Sequence, residues 1–352
     1  MSQYMVLSHI DIQNANSIAG LTWGFPAVTN FLGFTHALNR KLSNSYDGQY
    51  DLDLIGCAVI SHSFYNKVYQ SKQNADFEFL QSKNPPVLAK HKGSSPPIIE
   101  EGKMNLSVSL VIELEQSLLL SAGEIKQFEK DVLDICFGLR LAGGSILNIK
   151  RAKVISASTE VQHIEMLRKI KKLTLPGFVL LERSNYLNDH YQVLLTTHKE
   201  MNNDQDEPQL FDAWLDFSAL KFKAIPQLDN DQTQPDENTR ANWTYIAKPY
   251  SGYLVPLMTG YKAISELYAP EEVLSTRDEV TPCCFVESIH SVGEWKGVHN
   301  IKKIKDTIWR YKQEGQWYLC RQTSHLPSNN NEPNLKSEEI KTLNFNDALN
   351  LF

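Results

Sequence analysis

Cysteine is scarce in this chain. Five of the 352 residues are cysteines, and no two of them form a CxxC pair. Cys57, Cys136 and Cys320 stand alone, while Cys283 and Cys284 are adjacent. This pattern excludes a disulfide framework and a cysteine-based zinc site, because both need paired cysteines at regular spacings. We therefore expect reduced thiols, a cytoplasmic location and no bound metal.

Long apolar runs are also lacking. The longest candidate, Leu106 to Leu120, is interrupted by Glu113, Glu115 and Gln116. It does not provide the ~18 consecutive apolar residues that a membrane helix needs. The opening residues, MSQY, lack the basic and apolar regions of a signal peptide. The sequence therefore predicts a chain with no membrane partner.

Familiar catalytic motifs are absent as well. The sequence contains no GxxxxGKS/T, GxGxxG, HExxH or GxSxG motif, so it predicts no nucleotide-binding loop, zinc protease or serine hydrolase and no cofactor. One segment, HSFYNK, gathers His62, Tyr65 and Lys67, and these residue types suit a metal-independent endoribonuclease. The other interpretation is a chance grouping, because His62 and Lys67 point to opposite faces of a strand. We expect no enzyme activity.

The chain is not basic overall, but its charge is uneven. The formal net charge is −6, with 35 basic and 41 acidic residues. Glu200 to Arg240 holds ten acids and three bases, so the rest of the chain carries a net +1. Basic clusters there are Lys150–Lys153, Arg168–Lys172, Lys302–Lys312 and Lys83–Lys103. Such clusters suit RNA binding, because nearby Lys and Arg side chains neutralise the phosphates of a polyanion. The alternative is that they are solvated helix faces.

The order of predicted elements indicates an α+β fold. Apolar alternation predicts strands at Met5–Ile12, Leu52–His62, Met104–Leu114, 177–181 and Tyr253–Met258. Helical spacing predicts helices at Thr29–Leu42, Ser121–Leu139, Thr159–Leu173 and Val298–Tyr311. The predicted apolar face of the third helix is Val161, Ile164, Leu167 and Ile170. The alternation of strands and helices suggests a ferredoxin-like or RRM-like core, without the consensus that stacks bases in true RRM domains.

Residues 12–26, IQNANSIAGLTWGFP, combine amides with aromatics directly after a strand. Gln13, Asn14 and Asn16 offer donors and acceptors that suit base edges, ribose hydroxyls and phosphates. Trp23 and Phe25 suit base stacking. The alternative is a turn in which the asparagine side chains bond their own backbone.

Residues 140–146, RLAGGSI, form a second unusual segment. Gly143 and Gly144 allow close backbone approach to a ligand, and exposed N–H groups beside Ser145 suit a phosphate. The alternative is a helix C-cap followed by a turn. A third segment, Pro249 to Trp295, is rich in Gly, Pro and aromatics and is either a rigid platform for a partner or a compact core.

These segments also carry a family resemblance. IQNANSIAGLTWGFPAVTNFLGFTHAL, IIEEGKMNLSVSL, LRLAGGSIL, LPGFVLLER and the run from GYLVPLMTGYKAISELYAPEEV to GEW follow one another in the family's order. With them, the chain resembles the Cas-five-type RAMP subunit of the type I-F CRISPR surveillance (Csy) complex. The acidic segment 200–240 and the tail after Trp317 do not match clearly.

The resemblance implies a non-catalytic subunit that caps the 5′ handle of the CRISPR RNA. The implied partners are the large Cas-eight-type subunit, the first Cas-seven-type backbone subunit and, through the assembled complex, target double-stranded DNA. The residues expected to bind RNA are Gln13, Asn14, Asn16, Trp23, Phe25, His36, Arg40, Arg140, Gly143, Gly144 and Ser145, with Lys83, Lys90 and Lys92 on a thumb.

With this resemblance and the order of predicted elements, we expect four parts in the chain. Residues 1–195 are an RRM-like RAMP core, and a thumb is inserted at about 69–103, where four prolines disfavour regular structure. Residues 196–243 are an acidic variable segment. Residues 244–327 are an aromatic-rich part that packs on the core and a partner, and 328–352 are a loose tail.

Overall fold

The fold was determined as a computed structural model that describes residues 2–45, 50, 52–83, 98–99, 101–200, 206–227, 239–276, 278 and 280–322. The strands are β1 (Ser2–Asn16), β2 (Ile18–Ala19), β3 (Thr22–Trp23), β4 (Leu54–Asn66), β5 (Val68–Gln70), β6 (Phe77–Phe79), β7 (Ser82–Lys83), β8 (Ile98–Ile99), β9 (Lys103–Leu114), β10 (Arg140–Leu141), β11 (Gly144–Ala157), β12 (Phe178–Glu182), β13 (Lys221–Pro226), β14 (Ala241–Ile246), β15 (Tyr253–Ala263), β16 (Val286–Gly297), β17 (Trp309–Glu314) and β18 (Trp317–Gln322). The helices are α1 (Val28–Ser45), α2 (Ala122–Phe137), α3 (Glu160–Thr174), α4 (Ser184–Glu200) and α5 (Leu210–Ser218).

A large antiparallel sheet combined with helices confirms the predicted α+β class. Ten strands follow the order β10-β11-β1-β9-β4-β12-β16-β15-β18-β17, and β17 also pairs with β4. β1 lies between β11 and β9 and is antiparallel to both, and β9 is antiparallel to β4. The first part of the chain therefore runs β1-α1-β4-β9-α2-β11 and places these four strands side by side.

Local signals in the sequence explain where several elements begin. Ser121 caps α2, and a reciprocal bond with Glu124 completes a capping box. Thr159 and Gln162 form the same arrangement at α3. In β9, Leu106, Val108, Leu110 and Ile112 are all buried, as the alternation predicted. These elements have strong signals within a few residues of their ends, and their predicted bounds are close to the observed ones.

The predicted apolar face of α3 is partly wrong. Val161 and Ile164 are 67% and 55% exposed, whereas Met166 and Ile170 are buried. A strict three-residue repeat drifts around a helix that has 3.6 residues per turn. The buried set Met166, Ile170 and Thr174 keeps a four-residue step, which stays on one side of a helix.

The helix predicted at Val298–Tyr311 is wrong. The structure has two short 3₁₀ helices there, Val298–Asn300 and Ile304–Thr307, followed by β17. Val298, Ile304, Ile308 and Trp309 are nevertheless buried, so the pattern identified the inward residues correctly. The conformation differs because β17 pairs with β18 along its whole length and meets β4 at Cys57. β-branched and aromatic residues fit such a pleated surface well.

Contacts divide the described chain into two compact units. The first comprises 2–182, 257–290 and 295–322, and the second comprises 183–256 and 291–294. The main core of the first unit consists of Tyr4, Val6, Ala58, Ile60, Val111, Ala157, Met166, Ile170, Val179, Leu181, Val298, Ile301, Ile304 and Ile308. The core of the second consists of Leu187, Leu210, Ala213, Phe217, Leu254 and Val292.

Burial along β1 locates an uncovered part of the sheet. Gln3 to Ser8 are buried without interruption, which indicates that both faces of the sheet are covered there. From Ile10 onward, buried residues alternate with partly or fully exposed ones as far as Gln13. One face of the sheet is therefore open to solvent at this end, which is where the predicted polar segment lies.

Candidate nucleic-acid interface

A bulge in β1 presents the first two predicted amides. The register between β1 and β9 shifts between Ile12 and Ala15, so Gln13 and Asn14 lie in a bulge and both are exposed. Asn14 has a φ of 59°, a left-handed conformation that asparagine tolerates better than most residues. Its backbone N–H donates to Asn105 Oδ1 at 3.0 Å, and Lys67 Nζ donates to its side-chain oxygen. Bulges commonly re-aim side chains, and this one turns two amides outward.

The glycine segment is a tight hairpin turn and not a helix cap. α2 ends at Phe137 with Gly138 as its C-cap, and β10 and β11 follow as a hairpin. The central turn residues Ala142 and Gly143 have φ values of 50° and 73°, the positive pair that a type I′ turn requires. Asn16 N–H donates to the Ala142 carbonyl at 2.8 Å, so the turn is bonded to β1.

The two glycines have different surroundings. A Cβ added at Gly144 would lie 2.6–2.8 Å from atoms of Ile12, Gln13 and Ala15, so only glycine lets this strand approach the β1 bulge. A Cβ added at Gly143 would meet nothing within 4 Å. Gly144 is thus needed for packing, and Gly143 is the glycine with open space for a ligand.

Three predicted polar residues form a row across neighbouring strands. Arg140 of β10 is paired with Ser145 of β11, and Ser145 is paired with Gln13 of β1. All three are exposed. Arg140 Nη1 donates to the Gly143 carbonyl at 3.2 Å, which holds the guanidinium beside the turn. The row offers a cation, a hydroxyl and an amide along one edge of the open face.

Sequence reasoning missed the aromatic part of this face. A shallow groove beside the row is lined by Asp11, Ile12, Gln13, Ser63, Phe64, Tyr65, Asn105, Leu106, Ser107 and Leu147. Phe64 is 57% exposed, Tyr65 is 66% exposed and Leu147 is 59% exposed. The sequence did hold one signal for this face, namely two consecutive aromatics at the end of a strand. Neighbouring strand residues point to opposite faces, so a strand with one buried face does not normally expose both.

The other predicted residues of the first segment have packing or turn roles. Asn16 accepts from the Ile18 N–H at 3.0 Å and donates to the Ile18 carbonyl at 3.1 Å, as the turn interpretation described. Phe25 stacks on Phe31, and its ring also meets the Trp295 ring at 4.9 Å. These contacts leave Asn16 and Phe25 less available to a ligand than Gln13 or Tyr65.

Trp23 lies at the base of the predicted thumb. Its ring is 39% exposed and lies 4.9 Å from the Phe79 ring of β6. β5 pairs with β6 and β7 pairs with β8, so the described part of the insertion between β4 and β9 consists of two short hairpin ladders. Lys83 belongs to β7, while Lys90 and Lys92 lie outside the described residues.

His36 and Arg40 are exposed one helical turn apart on α1. They share a helix face by spacing. The structure therefore groups Gln13, Arg140, Gly143 and Ser145 closely and places these two residues on a different element.

His62 is bound within the protein rather than presented with Lys67. Its Nδ1 donates to the Pro176 carbonyl at 2.6 Å, and its Nε2 lies 2.6 Å from Ser109 Oγ. Burial lowers the pKa of His62, and the nearby Lys150 charge lowers that pKa further. Lys67 is directed to Asn14 instead. The catalytic grouping suggested by HSFYNK has no shared geometry in the structure.

Comparison with known proteins identifies the family to which the chain belongs. The family model described as CRISPR-associated protein (Cas_Csy2) matches residues 5–320. A relative described as CRISPR-associated protein Csy2, from Pseudomonas aeruginosa (strain UCBPP-PA14), is 32% identical over 326 residues. That alignment covers 90% of this chain and 94% of the relative. The chain belongs to the Csy2 family of CRISPR-associated proteins, which confirms the resemblance found in its sequence. No helix in the described residues is long and apolar enough to cross a membrane.

Proposed function

We propose that the chain is a non-catalytic CRISPR RNA-binding subunit of a cytoplasmic type I-F Cascade (Csy) complex in antiviral defence. In this role it caps the 5′ handle of the guide and pairs with the large Cas-eight-type subunit. It abuts a Cas-seven-type backbone subunit, and the assembled ribonucleoprotein recognises target double-stranded DNA. The subunit needs no cofactor for this role.

The sheet topology supports a ferredoxin-like RAMP core. The order β11-β1-β9-β4, joined as β1-α1-β4-β9-α2-β11, has the connectivity of a β-α-β-β-α-β unit. Helices α1 and α2 pack against β4 and β11. Folds of this kind commonly bind single-stranded RNA across the sheet.

The observation that carries the proposal is the combination of the polar row with exposed aromatics. Arg140, Ser145 and Gln13 supply a phosphate-binding cation and groups for hydrogen bonding. Phe64 and Tyr65 supply apolar rings on the adjoining groove. Single-stranded nucleic acid is typically bound by this pairing of cations for the backbone with rings for the bases.

A non-catalytic role is supported by the partners of His62. Both of its ring nitrogens lie within hydrogen-bond distance of protein oxygens. Lys67, the cation that the catalytic hypothesis pairs with His62, donates to Asn14 instead. The competing hypothesis is an endoribonuclease that processes repeat RNA. Site-specific cleavage of repeat RNA in EDTA, abolished by His62→Ala, would establish that hypothesis and refute ours.

The direct test uses the full chain co-expressed with the other subunits and a guide RNA of its own system. We expect Tyr65→Ala to weaken guide retention roughly 5- to 150-fold, the range for losing one stacked base. Arg140→Gln should lower the salt dependence of binding by about one ion. Phe137→Ala and Lys126→Gln are matched controls, because both side chains are exposed on α2. Equal guide retention in all four variants would contradict the proposal.

A further inference from the structure

The β13–β14 hairpin has an exposed face that is entirely apolar. Its register pairs Phe222 with Tyr245, Ala224 with Trp243, and Pro226 with Ala241. Directly paired residues in an antiparallel ladder share a face, and so do residues two positions along each strand. These six residues therefore lie on one side, which we call the apolar face of the hairpin.

The opposite side has a different composition. It carries Lys221 with Ile246, Lys223 with Thr244, and Ile225 with Asn242. All twelve residues of the two strands are exposed. On the apolar face Trp243 is 73% exposed, Phe222 is 56% exposed and Tyr245 is 45% exposed. An isolated two-stranded hairpin is marginal in water, and three exposed aromatics on one side are typical of a binding surface.

The hairpin is held at its base rather than loosely attached. Two residues separate the end of α5 at Ser218 from the start of the hairpin, and Lys221 forms an ion pair with Asp216 of α5. His190 of α4 binds the other oxygen of the same carboxylate at 2.7 Å. Burial opposes ionisation of Asp216, but its bonds to Lys221 and His190 outweigh that effect and lower the pKa of its carboxyl. The carboxylate thus stays charged and ties both helices to the first residue of the hairpin.

Charge indicates what kind of partner fits. The segment from Glu200 to Arg240 has ten acids and three bases, and the stretch 227–240 between the two strands has four acids and one base. Net negative charge along this part of the chain disfavours RNA, which needs Lys and Arg to neutralise its phosphates, and it disfavours anionic lipid surfaces for the same reason. It favours a protein whose apolar patch is bordered by basic side chains.

We propose that the apolar face of the hairpin docks onto a protein subunit of the CRISPR complex that presents an apolar cleft bordered by Lys and Arg. This inference rests on the proposed function, because it takes its partner from the same assembly. Trp and Tyr are the residues most often dominant in such interfaces. The hairpin serves as an anchor whose aromatics enter the cleft.

The test compares residues of matched exposure on the two faces of the hairpin. The full chain is co-expressed with the other subunits and a guide RNA, and captured proteins and RNA are quantified separately. We expect Phe222→Ser and Trp243→Ser to weaken capture of one subunit at least about 30-fold. Ile225→Ser and Ile246→Ser remove apolar side chains from the opposite face and should leave capture unchanged. Capture by Trp243→Ser equal to that by Ile246→Ser would overturn the docking proposal.

Photocrosslinking provides a second measurement that does not depend on how well the serine variants fold. A benzophenone amino acid replaces Trp243 in the otherwise unchanged chain within the assembled complex. A crosslink to another protein subunit supports the proposal, whereas a crosslink only to a second copy of this chain or to RNA overturns it. Failure of the proposed function is recognised separately, because then the unsubstituted chain captures neither guide RNA nor any subunit.

Discussion

The imidazole rings of His9 and His62 are stacked face to face, with centroids 4.0 Å apart and planes inclined by 7°. Ser109 lies beside both residues, since its Oγ accepts from the backbone N–H of His9 at 2.9 Å and lies 2.6 Å from the ring nitrogen Nε2 of His62. His9 occupies a break in the register of β1 and has a φ of 51°. Two positive charges at this separation would repel each other, so the arrangement favours neutral rings.

This pair should make stability depend on pH. Burial lowers the pKa of both rings, and the pKa of His9 is lowered further by His62 and Lys150. In the unfolded chain both histidines protonate near pH 6.5. The stabilisation is therefore fully present above about pH 6.5 and is lost as the pH falls, because the unfolded state takes up protons more readily.

We expect the free energy of unfolding, measured with urea, to decrease between pH 7.5 and pH 5.5. His62→Gln should flatten that decrease, since it keeps a hydrogen-bonding side chain but cannot titrate. His163→Gln is the control, because His163 belongs to α3 and is not part of the stacked pair. An identical pH dependence in His62→Gln and the unsubstituted chain would refute the assignment.

The two glycines of the β10–β11 turn should respond differently to substitution. Gly144→Ala adds a methyl group into the β1 bulge, so we expect it to destabilise the fold by about 1–3 kcal/mol. Gly143→Asp has room but adds a negative charge and should weaken guide RNA binding more than it lowers the melting temperature. Gly143→Asn separates the two effects, since asparagine tolerates the same positive φ without the charge. If Gly143→Asn and Gly143→Asp bind the guide equally, charge at the turn is irrelevant to RNA.

The thumb prediction concerns the insertion between β4 and β9. Replacing residues 84–97 with a short Gly-Ser turn should leave the fold intact, since β7 and β8 on either side of it pair with each other and loop length has a small entropic effect. The change removes Lys90 and Lys92. We expect weaker guide retention and weaker contact with the backbone subunit, with a shallower salt dependence of binding. Complete assembly with unchanged salt dependence would argue against a thumb.

Glu182 should be the most sensitive acid of the first unit. Its side chain is fully buried, forms an ion pair with Arg321, and accepts from the Gln322 N–H at 2.9 Å. Glu182→Ala leaves these donors without their acceptor and should cost about 3–5 kcal/mol. Glu314→Ala is the control, since the Glu314 carboxylate is half exposed and its pair with Lys312 contributes little. Chemical unfolding of both variants measures the difference, and equal losses would contradict the expectation.

Much of the fold could be predicted because its signals are local. The capping residues Ser121 and Thr159 and the alternation through β9 depend on neighbours a few positions away. β17 could not be predicted in this way, because its conformation is decided by strands β18 and β4. The second of these partners is about 250 residues earlier, with Trp309 beside Cys57. A helical spacing of apolar residues cannot reveal such a pairing.

The candidate site was predictable in its chemistry but not in its geometry. Amides, glycines and Arg140 were visible in the sequence, and the structure aligns Arg140, Ser145 and Gln13 across three strands. That alignment depends on two departures from regular structure, the type I′ turn and the β1 bulge. Tyr65 was noted only as part of the HSFYNK grouping. Its place on the open face could not be predicted, because its exposure depends on the sheet being uncovered at one end, which no local pattern reports.

The order in which the main core is completed has a consequence during synthesis. The strands β1, β4, β9 and β11 and the helix α3 have all been made by Thr174, yet their cluster also needs Val298, Ile301, Ile304 and Ile308. About 115 residues separate Glu182 from Val298, so a ribosome takes roughly 6–23 s to supply them. During that interval the nascent chain exposes part of an unfinished apolar surface. Chains released early should therefore aggregate or require chaperones, whereas chains extended through Gln322 can close the core.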